Sequence, residues 1–221
     1  MSPGPEAPGA SLVVNEIFHS IQGEATHAGH PCVFVRLTGC DLRCRWCDTE
    51  YAFHEGTALP IPEILARVAA FGCPLVEVTG GEPLLQRHTP ALVRALLDRG
   101  HEVLVETGGH LDIGALDARA RVILDLKCPG SGEVEANRWE NLERLAAKDA
   151  IKFVIADRDD YGWASDAVRR RRLDARAPVY FSPVYGELDA ARLAGWILED
   201  RLPVRLQLQI HKVLWGERRG V

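Results

Sequence analysis

The sequence has no excess of positive charge and no long apolar run. Its 26 Lys and Arg are outnumbered by 31 Asp and Glu, so the formal net charge is −5 and the pI is about 5.9. Nucleic-acid-binding proteins usually carry a basic surface, so we expect a small-molecule substrate and no nucleic acid. No apolar segment approaches the roughly 20 residues of a membrane span, and the first residues lack the basic start and apolar core of a secretion signal. We therefore expect a cytoplasmic protein with no membrane partner.

Cysteines are few, and half of them lie close together. Of the six, Cys40, Cys44 and Cys47 fall within eight positions in TGCDLRCRWCDTEYAF. Two cysteines make a disulfide and four close a structural zinc site, so three indicate a metal centre that keeps one position open. The other three are expected to be ordinary buried thiols in a reducing compartment: Cys32, Cys73 and Cys128.

The chain length of 221 residues fits one large domain better than two small ones. The opening MSPGPEAPGAS buries little, so we expect a disordered tail over 1–11 and a single domain over 12–221. Thereafter short runs rich in Val, Ile and Leu alternate with amphipathic stretches. The runs predict strands at 12–18, 32–37, 75–79, 102–106, 122–127, 151–156, 179–182 and 204–209. The amphipathic stretches predict helices at 62–71, 90–100, 137–147, 160–172 and 188–201. The first of these places Ile64, Leu65, Val68 and Phe71 on one apolar face.

Alternating strands and helices predict a parallel sheet with right-handed crossovers. Seven strands after the first are too few for a complete barrel of eight units, which takes about 250 residues. We therefore expect the α/β class and an incomplete, open βα barrel. Active sites of such folds lie at the carboxyl ends of the strands, and polar motifs follow four predicted strands: TGCDLRC, TGGEP, ETGG and DLKCP.

The cysteine loop allows two interpretations. Three thiolates in a C-x3-C-x2-C loop can bind three irons of a [4Fe–4S] cluster and leave the fourth free for a ligand. The alternative is a zinc-binding module completed by His54 or His30. The loop also carries Trp46 beside its third cysteine, and a Gly-Gly-Glu-Pro sequence follows the next predicted strand at 80–83. Taken together, these motifs resemble the radical S-adenosylmethionine superfamily.

This resemblance implies a [4Fe–4S] cluster on Cys40, Cys44 and Cys47, with S-adenosylmethionine chelated to the open iron and cleaved to a 5′-deoxyadenosyl radical. Glycines 80 and 81 leave no side chain between the backbone and the cofactor. The residues implied to bind S-adenosylmethionine are Trp46, Cys47, Asp48, Gly80, Gly81, Glu82, Asp125, Leu126, Lys127, Ser182 and Pro183.

Further segments are similar to the 7-carboxy-7-deazaguanine synthase family over nearly all of 13–215. They are EIFHSIQGEATHAGHPCVFVRLTGC, the Asp-Thr after the third cysteine, ETGG, DLKCP and QIHK. The chain departs from the family's QGEG segment at Ala25. Membership implies the conversion of 6-carboxy-5,6,7,8-tetrahydropterin to 7-carboxy-7-deazaguanine with loss of ammonia, in queuosine and deazapurine biosynthesis. It also implies Mg²⁺ at Thr49 and an electron donor such as flavodoxin.

The same family resemblance implies a set of pterin-binding residues: Ile21, Gln22, Gly23, Glu24, Arg36, Thr79 and His211. The amide and amine of a pterin edge suit Gln22 and Glu24, and its carboxylate suits the guanidinium of Arg36. Arg36 could instead form a surface ion pair, and a lone histidine such as His211 is usually structural. We expect the arginine run 169–172 to be solvated at a helix end.

Two further expectations concern partners. An enzyme that activates a partner protein by making a glycyl radical shares the cysteine loop and GGEP, but it needs an open groove and no pterin-reading edge. Exposed edge strands of an open barrel favour a homodimer.

Three tryptophans on helical patterns are expected in the core: Trp139, Trp163 and Trp196.

Replacing any one of Cys40, Cys44 and Cys47 by Ala should abolish both iron content and S-adenosylmethionine cleavage, because each thiolate holds one iron. Iron analysis and the absorbance near 400 nm after anaerobic reconstitution measure the first effect. Cys32→Ala and Cys73→Ala are the controls and should keep the cluster. A Cys128→Ala variant that loses the band while Cys44→Ala keeps it would contradict the assignment.

Overall fold

The computed structural model describes residues 9–221, and these form one nine-stranded mixed sheet with helices packed against it. The strands are β1 (Ser11–Ile21), β2 (Pro31–Leu37), β3 (Thr57–Pro60), β4 (Leu75–Gly80), β5 (Glu102–Thr107), β6 (Arg121–Leu126), β7 (Ala150–Ile155), β8 (Val179–Pro183) and β9 (Arg205–Leu206). The α-helices are α1 (Ile61–Ala69), α2 (Thr89–Asp98), α3 (Arg158–Arg171), α4 (Ala190–Glu199) and α5 (Ile210–Trp215).

The strand order is β3-β1-β2-β4-β5-β6-β7-β8-β9, and β3 and β9 do not pair with each other. The strands from β2 onward along this order are parallel, whereas β1 runs antiparallel to β2 and to β3. The sheet therefore does not close, which confirms the predicted open βα barrel. No helix in the described part of the chain is both long and apolar enough to cross a membrane.

The buried strands match the sequence pattern closely. All six residues of β4 are buried, as expected for a parallel strand covered on both faces. The three tryptophans pack against the core cluster of β6, β7 and β8, as predicted. Cys32, Cys73 and Cys128 are buried free thiols, and the arginines that end α3 are exposed.

Several predicted elements differ from those observed. The strand predicted at 204–209 is only two residues long, and the short strand β3 and the helix α5 were not predicted. The helix predicted at 137–147 is a 3-10 helix over Trp139–Arg144. The buried Asn141 side chain there accepts a hydrogen bond from Ile113 N and donates to Gly109 O and Leu111 O. These bonds hold the segment against the preceding loop.

The helix predicted at 62–71 ends earlier than its apolar pattern indicated. Ile64, Leu65 and Val68 are buried on one face of α1, as predicted. Phe71 was expected on that face but is 42% exposed, because α1 ends at Ala69 and the chain then turns at Gly72, whose φ is +64°. The placement of Phe71 in the core was wrong.

The parallel strands bring four motifs to one edge of the sheet. The residues of TGC, GGEP, ETGG and DLKCP follow or end β2, β4, β5 and β6 at their carboxyl ends, as predicted. The connection 22–30 between β1 and β2 lies at the opposite end of β2, because those two strands are antiparallel. We call the first end the rim of the barrel and the second end its floor.

Leu96 in α2 is fully buried, whereas Leu198 in α4 is 76% exposed. Leu96→Ala should lower the free energy of unfolding by about 2–5 kcal/mol because it leaves a cavity. The matched change Leu198→Ala should alter it by no more than about 0.5 kcal/mol. Urea unfolding followed by circular dichroism measures both, and equal losses in the two variants would contradict the packing described here.

Candidate active site

The cysteine loop leaves β2 at Leu37, closes on itself and contacts two other parts of the rim. Gly39 N donates to Ala52 O at 2.8 Å, which closes the loop on itself. Arg45 N donates to Ser131 O at 3.0 Å, beyond the end of β6. His110, after β5, lies 2.7 Å from Asp41 through its Nε2. The backbone that carries the three cysteines of this loop is therefore supported by neighbouring strand ends.

The three cysteines are partly exposed free thiols. Burial raises the pKa of Cys44 to about 11, although the nearby Lys127 opposes this rise. Cys47 Sγ lies 3.8 Å from Thr49 Oγ1, and the Thr49 hydroxyl does not cap the 3-10 helix that follows it. Three free thiols on one loop are a donor set that suits a [4Fe–4S] cluster with an open iron.

The geometry gives no support to the zinc interpretation. His30 precedes β2 at the floor, whereas the cysteines follow β2 at the rim, and seven strand residues span roughly 20 Å. His54 is exposed and packs edge-on against Phe53 at 6.2 Å.

Gly80 and Gly81 lie where the neighbouring chain leaves no room for a side chain. A Cβ on Gly80 would collide with Leu37 O, and a Cβ on Gly81 would collide with Gly39 O and lie 2.9 Å from Cys40 Cβ. Gly81 N donates to Leu37 O at 3.1 Å. The space that we expected these glycines to leave for a cofactor is thus taken, on the Cβ side, by the end of β2 at Gly80 and by the cysteine loop at Gly81.

Glu82 has a structural role that the sequence did not indicate. Its side chain is buried and accepts hydrogen bonds from Leu84 N at 2.9 Å, from Thr107 Oγ1 at 2.8 Å and from Gly108 N at 2.8 Å. Its own N donates to Gly39 O at 2.7 Å. The carboxylate therefore joins GGEP to ETGG, and the predicted contact of Glu82 with S-adenosylmethionine would have to come from its backbone.

The end of β6 places two charged side chains beside the cysteines. Lys127 Nζ lies 3.1 Å from Asp125 Oδ2, and both groups are close enough to Cys44 to influence its pKa. Asp125 Oδ1 is buried and has no hydrogen-bond partner among the described residues. An unpartnered buried acceptor is costly unless a ligand meets it, so it fits the amino group or ribose of S-adenosylmethionine.

The other predicted cofactor residues differ in how accessible they are. The side chain of Leu126 lies in the core cluster, so only its backbone is available to a ligand. Ser182 and Pro183 are buried at the end of β8. Trp46 is partly exposed, with the Arg45 guanidinium 4.9 Å from its ring centre.

The predicted substrate residues on 21–24 lie at the floor. Gln22 Nε2 donates to Glu77 on β4, and Gln22 Oε1 accepts from Glu24 N at 3.0 Å. The buried Glu24 carboxylate accepts from Lys152 Nζ at 2.7 Å. Two glutamine side chains also donate to this carboxylate, both at 2.8 Å: Gln207 and Gln209. The floor is therefore a preformed array of donors and acceptors that faces the barrel interior.

Arg36 is neither a surface ion pair nor a free cation. Its Nε lies 2.8 Å from Glu16 Oε1, its side chain is 15% exposed, and its guanidinium is 5.8 Å from the ring centres of Phe18 and Tyr51. Among residues 9–221, its two terminal nitrogens make no hydrogen bond to protein. Thr79 is its neighbour across β2 and β4. Glu16 thus orients the Arg36 guanidinium and leaves its two terminal nitrogens available to a ligand.

The C-terminal helix α5 links floor and rim. Ile210 N donates to Gly23 O at 3.1 Å, and His211 packs so closely that a Cβ on Gly23 would collide with its ring. Burial lowers the pKa of His211 although Glu24 opposes this. Lys212 Nζ lies 2.7 Å from Asp48 Oδ2, so the Asp48 side chain is paired with α5.

Three charged residues of the barrel interior escaped sequence reasoning: Glu77, Glu106 and Lys152. Each sits inside an apolar strand, in LVEVTG, EVLVET and AIKFVI. An isolated charge in a strand that is buried on both faces is itself a signal of an interior polar cluster. That signal was present in the sequence and could have been used.

Comparison with known proteins identifies the family. Residues 34–129 match the model of the Radical SAM superfamily. The protein named 7-carboxy-7-deazaguanine synthase from Chlorobaculum tepidum is 49% identical over 96% of this chain and 98% of its own length. The protein of that name from Koribacter versatilis is 44% identical over 95% of this chain and 100% of its own. The crystal structure of QueE from Escherichia coli has a TM-score of 0.73 at 23% identity, over 90% of this chain and 94% of that one.

The open barrel and its three-cysteine loop thus define a radical S-adenosylmethionine enzyme, which uses a [4Fe–4S] cluster and S-adenosylmethionine. Within that superfamily, the chain belongs to the 7-carboxy-7-deazaguanine synthase family. The family predicted from the sequence motifs is confirmed.

Gly81→Ala should reduce cluster occupancy, because the added Cβ must displace Gly39 or Cys40 at the start of the cysteine loop. Iron and sulfide content after anaerobic reconstitution is the measurement. Gly162→Ala is the matched control, since it lies in α3 with nothing within 4 Å of an added Cβ. A Gly81→Ala protein with full iron content and weakened S-adenosylmethionine binding would restore our original interpretation of this glycine.

Proposed function

We propose that this chain converts 6-carboxy-5,6,7,8-tetrahydropterin to 7-carboxy-7-deazaguanine with release of ammonia, in queuosine and deazapurine biosynthesis. The observation that carries the proposal is the pairing of two features in one barrel. A cysteine loop lies at the rim, and a buried array of Gln22, Glu24 and their partners lies at the floor. The relatives named for this product cover nearly the whole chain.

The floor and its neighbours have the chemistry to bind a carboxylated pterin. A pterin edge offers an amide and an amine, which an ionised carboxylate and an amide side chain can bind through paired hydrogen bonds. Glu24 and Gln22 provide these groups, with the Ile21 and Gly23 backbone beside them. Arg36 provides two terminal nitrogens for the substrate carboxylate. Thr79 adjoins Arg36 in the sheet, and His211 covers Gly23.

The rim has the groups to bind the cofactors. Cys40, Cys44 and Cys47 would hold the cluster, which together with S-adenosylmethionine supplies the radical chemistry when bound. The backbone of 80–82 and the buried acceptor of Asp125 are the groups placed to bind S-adenosylmethionine. The other proposed contacts are Trp46, Cys47, Asp48, Leu126, Lys127, Ser182 and Pro183. The chain's own part is to orient the two ligands relative to each other and to exclude water from between them.

Mg²⁺ is proposed at Thr49. This ion prefers hard oxygen ligands and keeps several waters, so one hydroxyl and the oxygens of the substrate are a sufficient inner shell. The Thr49 hydroxyl is free of capping bonds and lies 3.8 Å from Cys47 Sγ, at the end of the cysteine loop.

The proposal also includes the compartment, an electron donor and the oligomeric state. All six cysteines are free thiols, which suits the reducing cytoplasm. The exposed cysteine loop suits an electron donor such as flavodoxin. The strands β3 and β9 are unpaired edges, which suits a homodimer.

The test is anaerobic incubation of the reconstituted enzyme with S-adenosylmethionine, Mg²⁺ and the pterin, followed by mass spectrometry of the product. Arg36→Ala should leave the substrate carboxylate without its charged partner, a loss on the order of 2–5 kcal/mol. Turnover at subsaturating pterin should therefore fall about tenfold or more, since about 1.4 kcal/mol is a decade. Gln22→Ala should act in the same direction, and both variants should keep uncoupled S-adenosylmethionine cleavage.

Arg170→Ala is the matched control, because Arg170 is exposed on α3 and pairs only with Asp166. Its turnover should equal that of the parent. If Arg36→Ala and Gln22→Ala both turn over the pterin at the parent rate, the pterin assignment loses its support and a glycyl-radical activase becomes the better interpretation.

A further inference from the structure

Lys152 is a buried cation in the barrel interior that the proposed chemistry does not use. It is the third residue of β7 and is 5% exposed. Its Nζ meets carboxylates from three other segments. It lies 2.7 Å from Glu24 Oε2 at the floor, contacts Glu106 on β5, and lies 3.5 Å from Asp125 Oδ2 on β6.

Carboxylates take most of the donor capacity of this side chain. A lysine ammonium has three N–H groups and no acceptor. Two hydrogen bonds from Lys152 Nζ go to Glu24 and Glu106, and Asp125 lies 3.5 Å away as an ion-pair partner. The carboxylates that Lys152 holds are therefore the groups through which its charge acts.

The charge balance explains why a lysine is needed here. Glu24, Glu77, Glu106 and Asp125 all face the same interior, and burial of an unpaired carboxylate is costly. Burial and the neighbouring Glu106 raise the pKa of Glu77 well above its usual range. Burial opposes ionisation of Glu24 too, yet Lys152 and its hydrogen bond lower the pKa of that carboxyl. Glu24 is therefore the carboxylate that Lys152 keeps as an acceptor.

We propose that Lys152 is a positioning residue for substrate recognition, which holds the Glu24 carboxylate in the orientation that reads the pterin edge. This inference rests on the proposed pterin reaction. Through Asp125, whose Oδ1 has no partner, the same ammonium also orients an acceptor on the cofactor side of the barrel. Lys152 thus links the Glu24 carboxylate of the floor to the Asp125 carboxylate near the rim.

The first test is Lys152→Met in the reconstituted holoenzyme. Its KM for the pterin should rise about tenfold or more, while kcat changes less and iron content stays at the parent level. Lys148→Met is the matched control, because Lys148 precedes the same strand and pairs with Asp149 away from the interior cluster. Lys148→Met should keep the parent KM.

A second variant separates positioning from stability. Lys152→Met leaves the interior carboxylates without their cation, and Glu106→Gln in the same chain removes one of them. Assayed at a temperature where both proteins are folded, the double variant should show a pterin KM about tenfold or more above that of Glu106→Gln alone. If the two proteins share one KM, Lys152 only balances charge and the positioning role is wrong.

The pH profile gives a readout that a purely structural role would not move. Glu24 is faced by Lys152 from β7, His211 from α5, Glu77 from β4, Glu106 from β5 and Asp125 from β6. Because Lys152 lowers the pKa of Glu24, its removal should raise that pKa, and protonated Glu24 loses an acceptor. The acidic limb of kcat/KM should therefore move to higher pH in Lys152→Met, and Lys152→Arg should move it back.

The two proposals fail in different ways. If the parent enzyme cleaves S-adenosylmethionine but never converts the pterin, the proposed function is wrong. If the parent converts the pterin and Lys152→Met shows the parent KM and pH profile, only the role of Lys152 is wrong.

Discussion

The close approach of Gly81 to the backbone of Gly39 and Cys40 is the constraint on which the site depends. A strand end of the barrel can touch the cysteine loop only where a side chain is missing. The adjacent Glu82 continues the contact, since its N bonds Gly39 O and its carboxylate bonds Thr107 and Gly108. Three strand ends therefore form one connected support for the cysteine loop. A substitution that shifts any of them would also displace the cysteines.

The floor depends on a different principle. Because β1 runs antiparallel to β2, the connection between them lies at the end of the barrel opposite the cysteines. This connection places Gln22 and Glu24 at the floor. Buried carboxylates at that depth need cations and hydrogen-bond donors. Lys152, Gln207 and Gln209 supply them for Glu24. The polar floor thus consists of residues distant in sequence.

The helix α5 connects the two ends of the site. His211 packs on Gly23 at the floor, and Lys212 pairs with Asp48 beside the third cysteine. Farther along, Arg219 bonds Glu55 and Asn15 and lies 3.9 Å from the ring centre of Tyr51. Tyr51 also bonds Glu16, the partner of Arg36. The C-terminal segment is therefore part of the wall that orients Arg36 and Glu24, the residues proposed to bind the substrate.

The sequence by itself determined the open barrel, the cofactor class and the family, because strand periodicity, cysteine spacing and glycine-rich strand ends are local patterns that chemistry restricts tightly. It also predicted that Cys40, Cys44 and Cys47 share one loop at the rim. Only the tertiary structure decided which side Gly81 faces, that the Glu82 carboxylate is structural, and that Lys152 lies under Glu24. These facts depend on which strands become neighbours, over separations from 25 residues for Glu82 and Thr107 to 128 for Glu24 and Lys152. No local pattern records the pairing of side chains that meet only when the sheet forms.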